Sequence, residues 1–247
     1  MKSKQQLAEL IAKTEHDRYS YFNALFKYVP DIIVSEMAYM ELEKGQYLLR
    51  AGEPNDMVYI ILSGKVTGLD HQKMGHIYYF LDFTKMYVVG DFEVFGDYSE
   101  YSISMRAATD CKLLKISAKR YIHWVQHDEN ALFLRIKNIM SILTFERKLD
   151  REYIFMNCKE RLVEFLARSY ENGKKDSFGK YKMARTQTEL ADRVGFNVRS
   201  VQRSIASLEK EGLILIESGK ITISSEQFLQ LQRYNDEEKG GDKNGQV

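Results

Sequence analysis

One uninterrupted stretch near the middle of the chain constrains the fold more than any other feature. From Asn130 to Phe155 the sequence NALFLRIKNIMSILTFERKLDREYIF contains neither proline nor glycine, which predicts a single long helix. One face of that helix carries apolar residues at three- and four-residue spacing: Phe133, Ile136, Met140 and Leu143. A second apolar stripe lies beside it: Ile139, Ile142, Phe145 and Leu149.

Two apolar stripes on one helix require two partners. One stripe is enough to pack against the chain's own core, so the other needs a second surface. We therefore expect a dimerisation helix whose Phe133, Ile136, Met140 and Leu143 contact a second copy of the chain. A helix buried on both sides within one subunit is the alternative.

The segment before this helix has the pattern of a small antiparallel β-roll. Runs rich in Tyr, Val and Ile, such as MVYIILS and CKLLKIS, follow one another between Met40 and Ser117 with glycine or charged turns between them. Helical spacing is found in the first forty residues and breaks at Pro30. Short strands at this spacing predict a double-stranded β-helix, or jelly-roll, domain.

The segment after the long helix predicts a winged helix-turn-helix. Thr186 followed by Glu189 is a capping-box signal, Gly195 suits a left-handed helix end, and Asn197 suits the start of the next helix. LILIESGKITIS alternates around Ser218–Gly219 as a β-hairpin does.

These patterns together predict an α+β chain with four parts. They are N-terminal helices with a β-roll (1–127), a dimerisation helix (128–156), a winged helix-turn-helix domain (157–234) and a disordered tail (235–247), which is nearly devoid of apolar residues.

The second helix of the helix-turn-helix is the candidate DNA-binding element. In this motif its N-terminal residues contact base edges in the major groove. Val201 and Ile205 have core spacing, so Val198, Arg199, Gln202 and Arg203 face outward. We expect DNA contacts from eight residues: Thr186, Gln187, Asn197, Val198, Arg199, Ser200, Gln202 and Arg203.

The local charge agrees with a nucleic-acid partner although the whole chain carries only +1. Between Tyr181 and Ser207 five basic residues stand against Glu189 and Asp192. The five are Lys182, Arg185, Arg193, Arg199 and Arg203. A solvated helix pair with ordinary surface arginines is the alternative interpretation.

Composition excludes several other classes. Two cysteines, Cys111 and Cys158, are too few for a disulfide framework or a four-thiolate iron–sulfur cluster. His123 and His127 have metal-compatible spacing, but no third ligand is evident near them, so we expect no metal site. No stretch of about 18 apolar residues is present, which predicts a cytoplasmic protein with no membrane contact.

The chain resembles the Crp/Fnr family of bacterial transcription regulators over roughly residues 20–230. KGQYLLRAGEPNDMVYIILSGKV and VVGDFEVFGD…MRAATDCKLLKIS are similar to the family's cyclic-nucleotide-binding-like roll, and TQTELADRVGFNVRSVQRSIASLEKEGLI is similar to its winged helix-turn-helix. The resemblance implies a homodimer that binds a near-palindromic double-stranded DNA site. It also implies that an effector bound in the roll reorients the DNA-binding domains. RNA polymerase is a further candidate partner.

The resemblance also indicates where an effector would bind. Cyclic-AMP-responsive members hold the ribose with a Gly-Glu pair and the phosphate with an Arg-Ser pair; here we align those positions with Gly90–Asp91 and Tyr101–Ser102. Phe92 adjoins them. Because tyrosine offers one neutral donor where a buried phosphate needs a bidentate cation, we expect an effector other than cyclic AMP, or none, and no cofactor.

Two other functions are compatible with parts of the pattern. A sensor module could use the roll for a cyclic nucleotide and act through protein contacts rather than DNA. An enzyme with a cupin-like barrel would need a cluster of histidine and carboxylate ligands on neighbouring strands, and the sequence offers none. We therefore expect a regulator without catalytic residues.

Overall fold

The structure, a computed structural model, describes residues 3–71, 77–80 and 87–240. These residues form two compact units, one of residues 3–71, 79–80 and 87–148 and the other of residues 77–78 and 149–240. The boundary lies inside one long helix, so the dimerisation helix predicted as a separate part belongs to both units.

The first unit contains three helices, a set of short strands and three further helices. In chain order they are α1 (Lys4–Ala12), α2 (His16–Leu25), α3 (Asp31–Glu36), β1 (Ala38–Leu42), β2 (Tyr47–Leu49), β3 (Met57–Ser63), β4 (Val66–His71), β5 (Ile77–Phe80), β6 (Val88–Val89), α4 (Asp91–Phe95), β7 (Ser104–Ala107), β8 (Cys111–Ser117), α5 (Ala118–Gln126) and α6 (Glu129–Phe155), which continues into the second unit.

The strands form two four-stranded sheets, with orders β1-β8-β3-β6 and β2-β7-β4-β5. Ile61 and Leu113 are buried together with Leu49, Val66 and Met105 from the other sheet, so the space between the sheets is one apolar core. This confirms the predicted antiparallel β-roll.

The first sheet is buried on its other face as well. Ile60 and Leu114 lie in a second core with Phe22, Tyr121 and Trp124, which the helices contribute. Burial on both faces explains why β3 is an almost continuous apolar run rather than an alternating one.

The second unit packs four helices around a small sheet. In chain order it contains α7 (Cys158–Asn172), β9 (Tyr181–Lys182), α8 (Gln187–Val194), α9 (Val198–Lys210), β10 (Leu215–Glu217), β11 (Lys220–Ile223) and α10 (Ser225–Gly240). The hairpin turns at Ser218 and Gly219, both with positive φ, as predicted. Strand β9 completes a three-stranded sheet of order β10-β11-β9, and the sequence patterns did not predict it.

The predicted disordered tail is wrong in its first part. Helix α10 continues through residues 235–240, and residues 241–247 lie outside the described part of the chain. Ser224 and Gln227 cap its start reciprocally, and the stacked rings of Tyr170 and Phe228, 4.4 Å apart, hold it against α7. A helix anchored in this way at its start can extend through a segment without apolar residues.

Candidate nucleic-acid interface and candidate effector pocket

The turn between α8 and α9 is fixed by local sequence. The Thr186 hydroxyl caps α8 by accepting from the Glu189 amide, while the Glu189 carboxylate accepts from the Thr186 amide. Gly195 ends α8 in the left-handed conformation at φ 73°, and the Asn197 side chain caps α9 by accepting from the Ser200 amide. The capping signals in the sequence therefore predicted both helix boundaries.

Helix α9 is divided sharply into a buried and an exposed face. Val201, Ile205 and Leu208 are buried in the second unit. Gln202 and Arg203 are exposed on the opposite side, and so is Arg199. The exposed face therefore presents two guanidinium groups and one amide, which are the donors used for guanine, adenine and phosphate.

The remaining residues of the predicted site lie close to this face. The Gln202 amide donates to Gln187 Oε1 at 2.9 Å, and Arg203 donates to Ser200 Oγ at 3.3 Å. Thr186 and Asn197 use their side-chain oxygens as helix caps, and Val198 is half-buried. The structure thus brings all eight residues to the start of α8 and the first half of α9.

Two of the five basic residues counted in the sequence are only partly exposed. The Arg185 guanidinium lies 5.4 Å from the centre of the Phe165 ring and is only partly exposed, and Arg193 is also partly exposed. Arg199 and Arg203 on α9, with Lys182 on β9, are the exposed bases of the five.

In the roll, the backbone conformation and the close packing at position 90 require a glycine. It has φ 90°, and a Cβ placed on it would lie 2.7 Å from the Met57 carbonyl oxygen and 3.3 Å from the Tyr101 ring. The buried Tyr101 hydroxyl donates to that same carbonyl at 2.7 Å. Tyr101 is thus a packing residue that closes over Gly90, and burial raises the pKa of its hydroxyl.

Asp91 has a different partner from the ribose suggested by the sequence. Its carboxylate is buried, accepts from Arg135 at 2.8 and 3.2 Å, and accepts from the Tyr121 hydroxyl at 2.9 Å. The alignment of Gly90–Asp91 with the effector-binding Gly-Glu pair therefore gave Asp91 the wrong partner. A carboxylate with three such bonds inside the protein is directed into the core, not toward a ligand.

Glu93 is the polar residue of this region that sequence reasoning missed. It is buried, and its Oε1 accepts from the Ser102 hydroxyl at 2.6 Å and from the Ser102 amide at 3.2 Å. Phe92, beside it, is 44% exposed. A carboxylate thus occupies the position beside Ser102 at which an anionic ligand would need a positive charge. An acidic residue in a short helix gave no sequence signal of this role.

The predicted dimerisation face is exposed in the single chain. Phe133, Ile136 and Met140 are 68%, 47% and 52% exposed, and Leu143 is half-buried. Ile142, from the second stripe, packs against the core between the sheets. The four residues of the second stripe are half-buried, and three of the four in the predicted dimerisation stripe are exposed.

Neither a metal site nor a membrane-spanning helix is found among the residues that the structure describes. They contain no group of three potential metal ligands, and the His127 ring nitrogen Nδ1 lies 2.8 Å from the backbone carbonyl oxygen of His123. Cys111 is buried. Within the same described residues, no helix has the length and apolar character to cross a membrane.

A two-sheet β-roll joined by a long helix to a winged helix-turn-helix defines a class of DNA-binding regulators with a sensor-type domain. The cyclic nucleotide-binding domain family matches residues 39–128, and the Crp-like helix-turn-helix domain family matches residues 160–231. The two matches cover well over half of the chain and follow the family's order. The chain belongs to the Crp/Fnr family and is a transcription regulator of that type.

Individual relatives agree with this assignment. The chain is 24% identical over 192 residues to the anaerobic regulatory protein of Pasteurella multocida, covering 74% of this chain and 67% of that protein. The c-di-GMP responsive global regulator CLP of Xanthomonas campestris superposes with a TM-score of 0.68 at 17% identity, covering 78% of this chain and 96% of that one. A CRP-family transcriptional regulator from Thermus thermophilus superposes with a TM-score of 0.65 at 15% identity, covering 80% of this chain and 96% of that one.

Proposed function

We propose that this regulator is a homodimer that binds a near-palindromic DNA site through the exposed face of α9. The observation that carries the proposal is the pair of exposed guanidinium groups, Arg199 and Arg203, on a helix whose other face is anchored in the core. Arg199 and Gln202 contact base edges, and Arg203 contacts base or phosphate. Thr186 and Asn197, which are exposed at the starts of the two helices, contact phosphates.

Dimerisation follows from the open stripe of α6. Phe133, Ile136 and Met140 form an apolar row that costs free energy while it faces water. Pairing with the same row of a second copy removes that cost and gives a two-fold arrangement. A two-fold dimer presents two copies of α9, which is why the DNA site is near-palindromic.

The roll does not bind cyclic AMP as an effector. The polar groups around Gly90 already have partners within the protein: Asp91 with Arg135, Ser102 with Glu93, and the Tyr101 hydroxyl with the Met57 backbone. A cyclic phosphate placed beside Ser102 would meet the Glu93 carboxylate, and like charges at close range are unfavourable. Either an effector without a phosphate at that position occupies the roll, or the protein acts without one.

Selection of duplexes from a random pool with the full-length protein tests the DNA-binding part. We expect enrichment of a two-fold symmetric site and an affinity that falls steeply with salt. Failure to enrich any palindrome, with a flat salt dependence, would contradict it.

Calorimetric titration tests the effector part. Cyclic AMP is expected to give no binding heat and no change in DNA affinity. Cyclic di-GMP, to which the Xanthomonas regulator responds, is titrated in parallel. Saturable cyclic AMP binding that changes DNA affinity would overturn this part alone.

A further inference from the structure

Three helix ends meet at the short connection between α6 and α7. Helix α6 ends at Phe155 and α7 begins at Cys158, so only Met156 and Asn157 separate them. The Asn157 side chain caps α7 by accepting from the Glu160 amide at 3.2 Å, and the Glu160 carboxylate accepts from the Asn157 amide at 2.8 Å. The connection is therefore short, and a helix cap fixes its second residue. The third end is that of α8.

Arg161, near the start of α7, donates to the carbonyl ends of the other two helices. Its Nε and Nη2 donate to the carbonyl oxygen of Tyr153, in the last turn of α6, at 3.1 and 2.7 Å. Its Nη1 donates to the carbonyl oxygen of Val194, the last residue of α8, at 3.1 Å. Because the last carbonyls of a helix lack partners within the helix and carry partial negative charge, a cation with several donors suits both ends. One side chain thus links α6 to the helix-turn-helix.

Two aromatic rings lie against the Arg161 guanidinium. Its central carbon is 5.4 Å from the centre of the Tyr153 ring and 5.0 Å from the centre of the Phe196 ring. Phe196 belongs to the turn between α8 and α9, and a Cβ placed on the preceding Gly195 would lie 3.1 Å from Arg161 Nη1. A planar guanidinium can stack on rings while it donates in several directions, which an ammonium group cannot do.

A second arginine of α7 also contacts the end of α6. Arg168 Nη2 lies 3.7 Å from the Glu152 carboxylate of α6 and 2.5 Å from the Glu164 carboxylate of α7. This contact joins α6 to α7, whereas Arg161 alone of the two also reaches the last residue of α8. All of these residues belong to the second unit. The last turn of α6 is therefore held within the DNA-binding unit.

We propose that Arg161 is a positioning residue that sets the distance between the two DNA half-sites that the dimer binds. The proposal rests on the proposed function above. In a dimer paired through the open stripe of α6, each copy of α9 is attached through α8 to the end of its own α6. Fixing α8 against the end of α6 in both subunits fixes the separation of the two copies of α9, and hence the half-site spacing. Arg161 acts through α8 rather than by contact with DNA.

The test uses duplexes that keep both selected half-sites but have a centre shortened or lengthened by one or two base pairs. Each base pair moves one half-site by about 3.4 Å and turns it by about 35°. Fluorescence anisotropy compares full-length wild type, Arg161→Gln and Arg161→Lys on this series and on a duplex with a single half-site. Lys159→Gln is the matched control, because Lys159 also lies near the start of α7 but pairs with Glu211, outside α6 and α8. Circular dichroism checks that each variant is folded.

We expect wild type and the control to lose affinity about tenfold or more when the centre changes by two base pairs. Arg161→Gln should bind all spacings within about threefold of one another and should bind the single half-site as wild type does, because the exposed face of α9 is unchanged. Arg161→Lys should behave like Arg161→Gln, since an ammonium group keeps the charge but not the fork that reaches both carbonyls.

An Arg161→Gln or Arg161→Lys protein with the spacing preference of wild type would overturn the positioning role. Equal loss of affinity on the single half-site and on every spacing would also overturn it, because Arg161 would then support the helix-turn-helix itself. A wild type that selects a palindrome but tolerates every spacing contradicts this proposal alone. If wild type selects no palindrome, the proposed function fails and the positioning role with it.

Discussion

Arg135 on α6 and Asp91 at the start of α4 form a buried, two-pronged ion pair. Arg135 Nε and Nη2 donate to the two oxygens of the Asp91 carboxylate at 2.8 and 3.2 Å, and the side chains are 1% and 2% exposed. Burial by itself would lower the pKa of Arg135, but the interactions with Asp91, Tyr121 and Tyr21 together outweigh it and the pKa is raised. The pair ties the long helix to the turn that contains Gly90, which places the candidate sensor region and the dimerisation helix in direct contact.

Removing one member of this pair should destabilise the first unit strongly. Arg135→Met keeps much of the side-chain volume but leaves the Asp91 carboxylate buried without its cation, so we expect a loss of about 3–5 kcal/mol in the free energy of unfolding. Urea denaturation followed by circular dichroism measures it. Arg120→Met is the control, because Arg120 pairs with Glu36 at 2.8 Å on a partly exposed surface and should cost under about 1 kcal/mol. Equal costs for the two variants would show that the buried pair is not a stabilising link.

Alanine substitutions at Gly90 and Gly52 distinguish the cost of a strained backbone conformation from the cost of a crowded Cβ. Both have positive φ, 90° and 81°, but a Cβ at Gly52 meets nothing within 4 Å whereas one at Gly90 meets the Met57 carbonyl oxygen at 2.7 Å. Gly52→Ala should cost about 1–2 kcal/mol for the left-handed conformation alone. Gly90→Ala should cost clearly more in the same urea experiment, and an equal or smaller cost would contradict the packing described around Tyr101.

The open stripe of α6 should govern the oligomeric state. Met140→Lys introduces a like charge from each subunit at the expected interface, and sedimentation velocity should show a shift from dimer toward monomer. Ile32→Lys is the matched control, since Ile32 is also an exposed apolar residue, at 61%, but lies on α3. The control should leave the dimer intact. A Met140→Lys protein that remains as dimeric as wild type would refute the interface.

The two cysteines should differ in reactivity. Burial raises the pKa of the Cys111 thiol, which leaves a smaller fraction of the reactive thiolate at neutral pH, and also limits access to it. Cys158 is partly exposed at the start of α7. Iodoacetamide should therefore modify Cys158 before Cys111, as peptide mass spectrometry of the folded protein can measure. Faster modification of Cys111 would contradict its place in the core.

The sequence predicted those parts of the protein that local rules determine. The capping residues Thr186 and Asn197 and the turn at Gly195 each act within a few residues of themselves, so their patterns gave the helix-turn-helix correctly. The periodicity of α6 likewise distinguished a half-buried stripe from a more exposed one.

Contacts between distant residues could not be predicted in this way. The partner of Asp91 is Arg135, 44 positions away, and a resemblance-based alignment assigned it to a ligand instead. The sequence did not predict a role for Glu93, because only the fold brings it into contact with Ser102. Strand β9 has two residues and exists because β11 offers it an edge, which no periodicity in so short a segment can indicate.

Arg199→Ala tests whether the exposed face of α9 determines which DNA sequence the protein binds. Affinities of wild type, Arg199→Ala and the control Lys210→Ala are measured on the selected duplex and on a scrambled duplex at the same salt concentration. We expect Arg199→Ala to lose about 1–3 kcal/mol on the selected duplex and much less on the scrambled one, with the control unchanged. Equal losses on both duplexes would mark Arg199 as a phosphate contact, and no loss on either would contradict the role of this face in choosing the DNA.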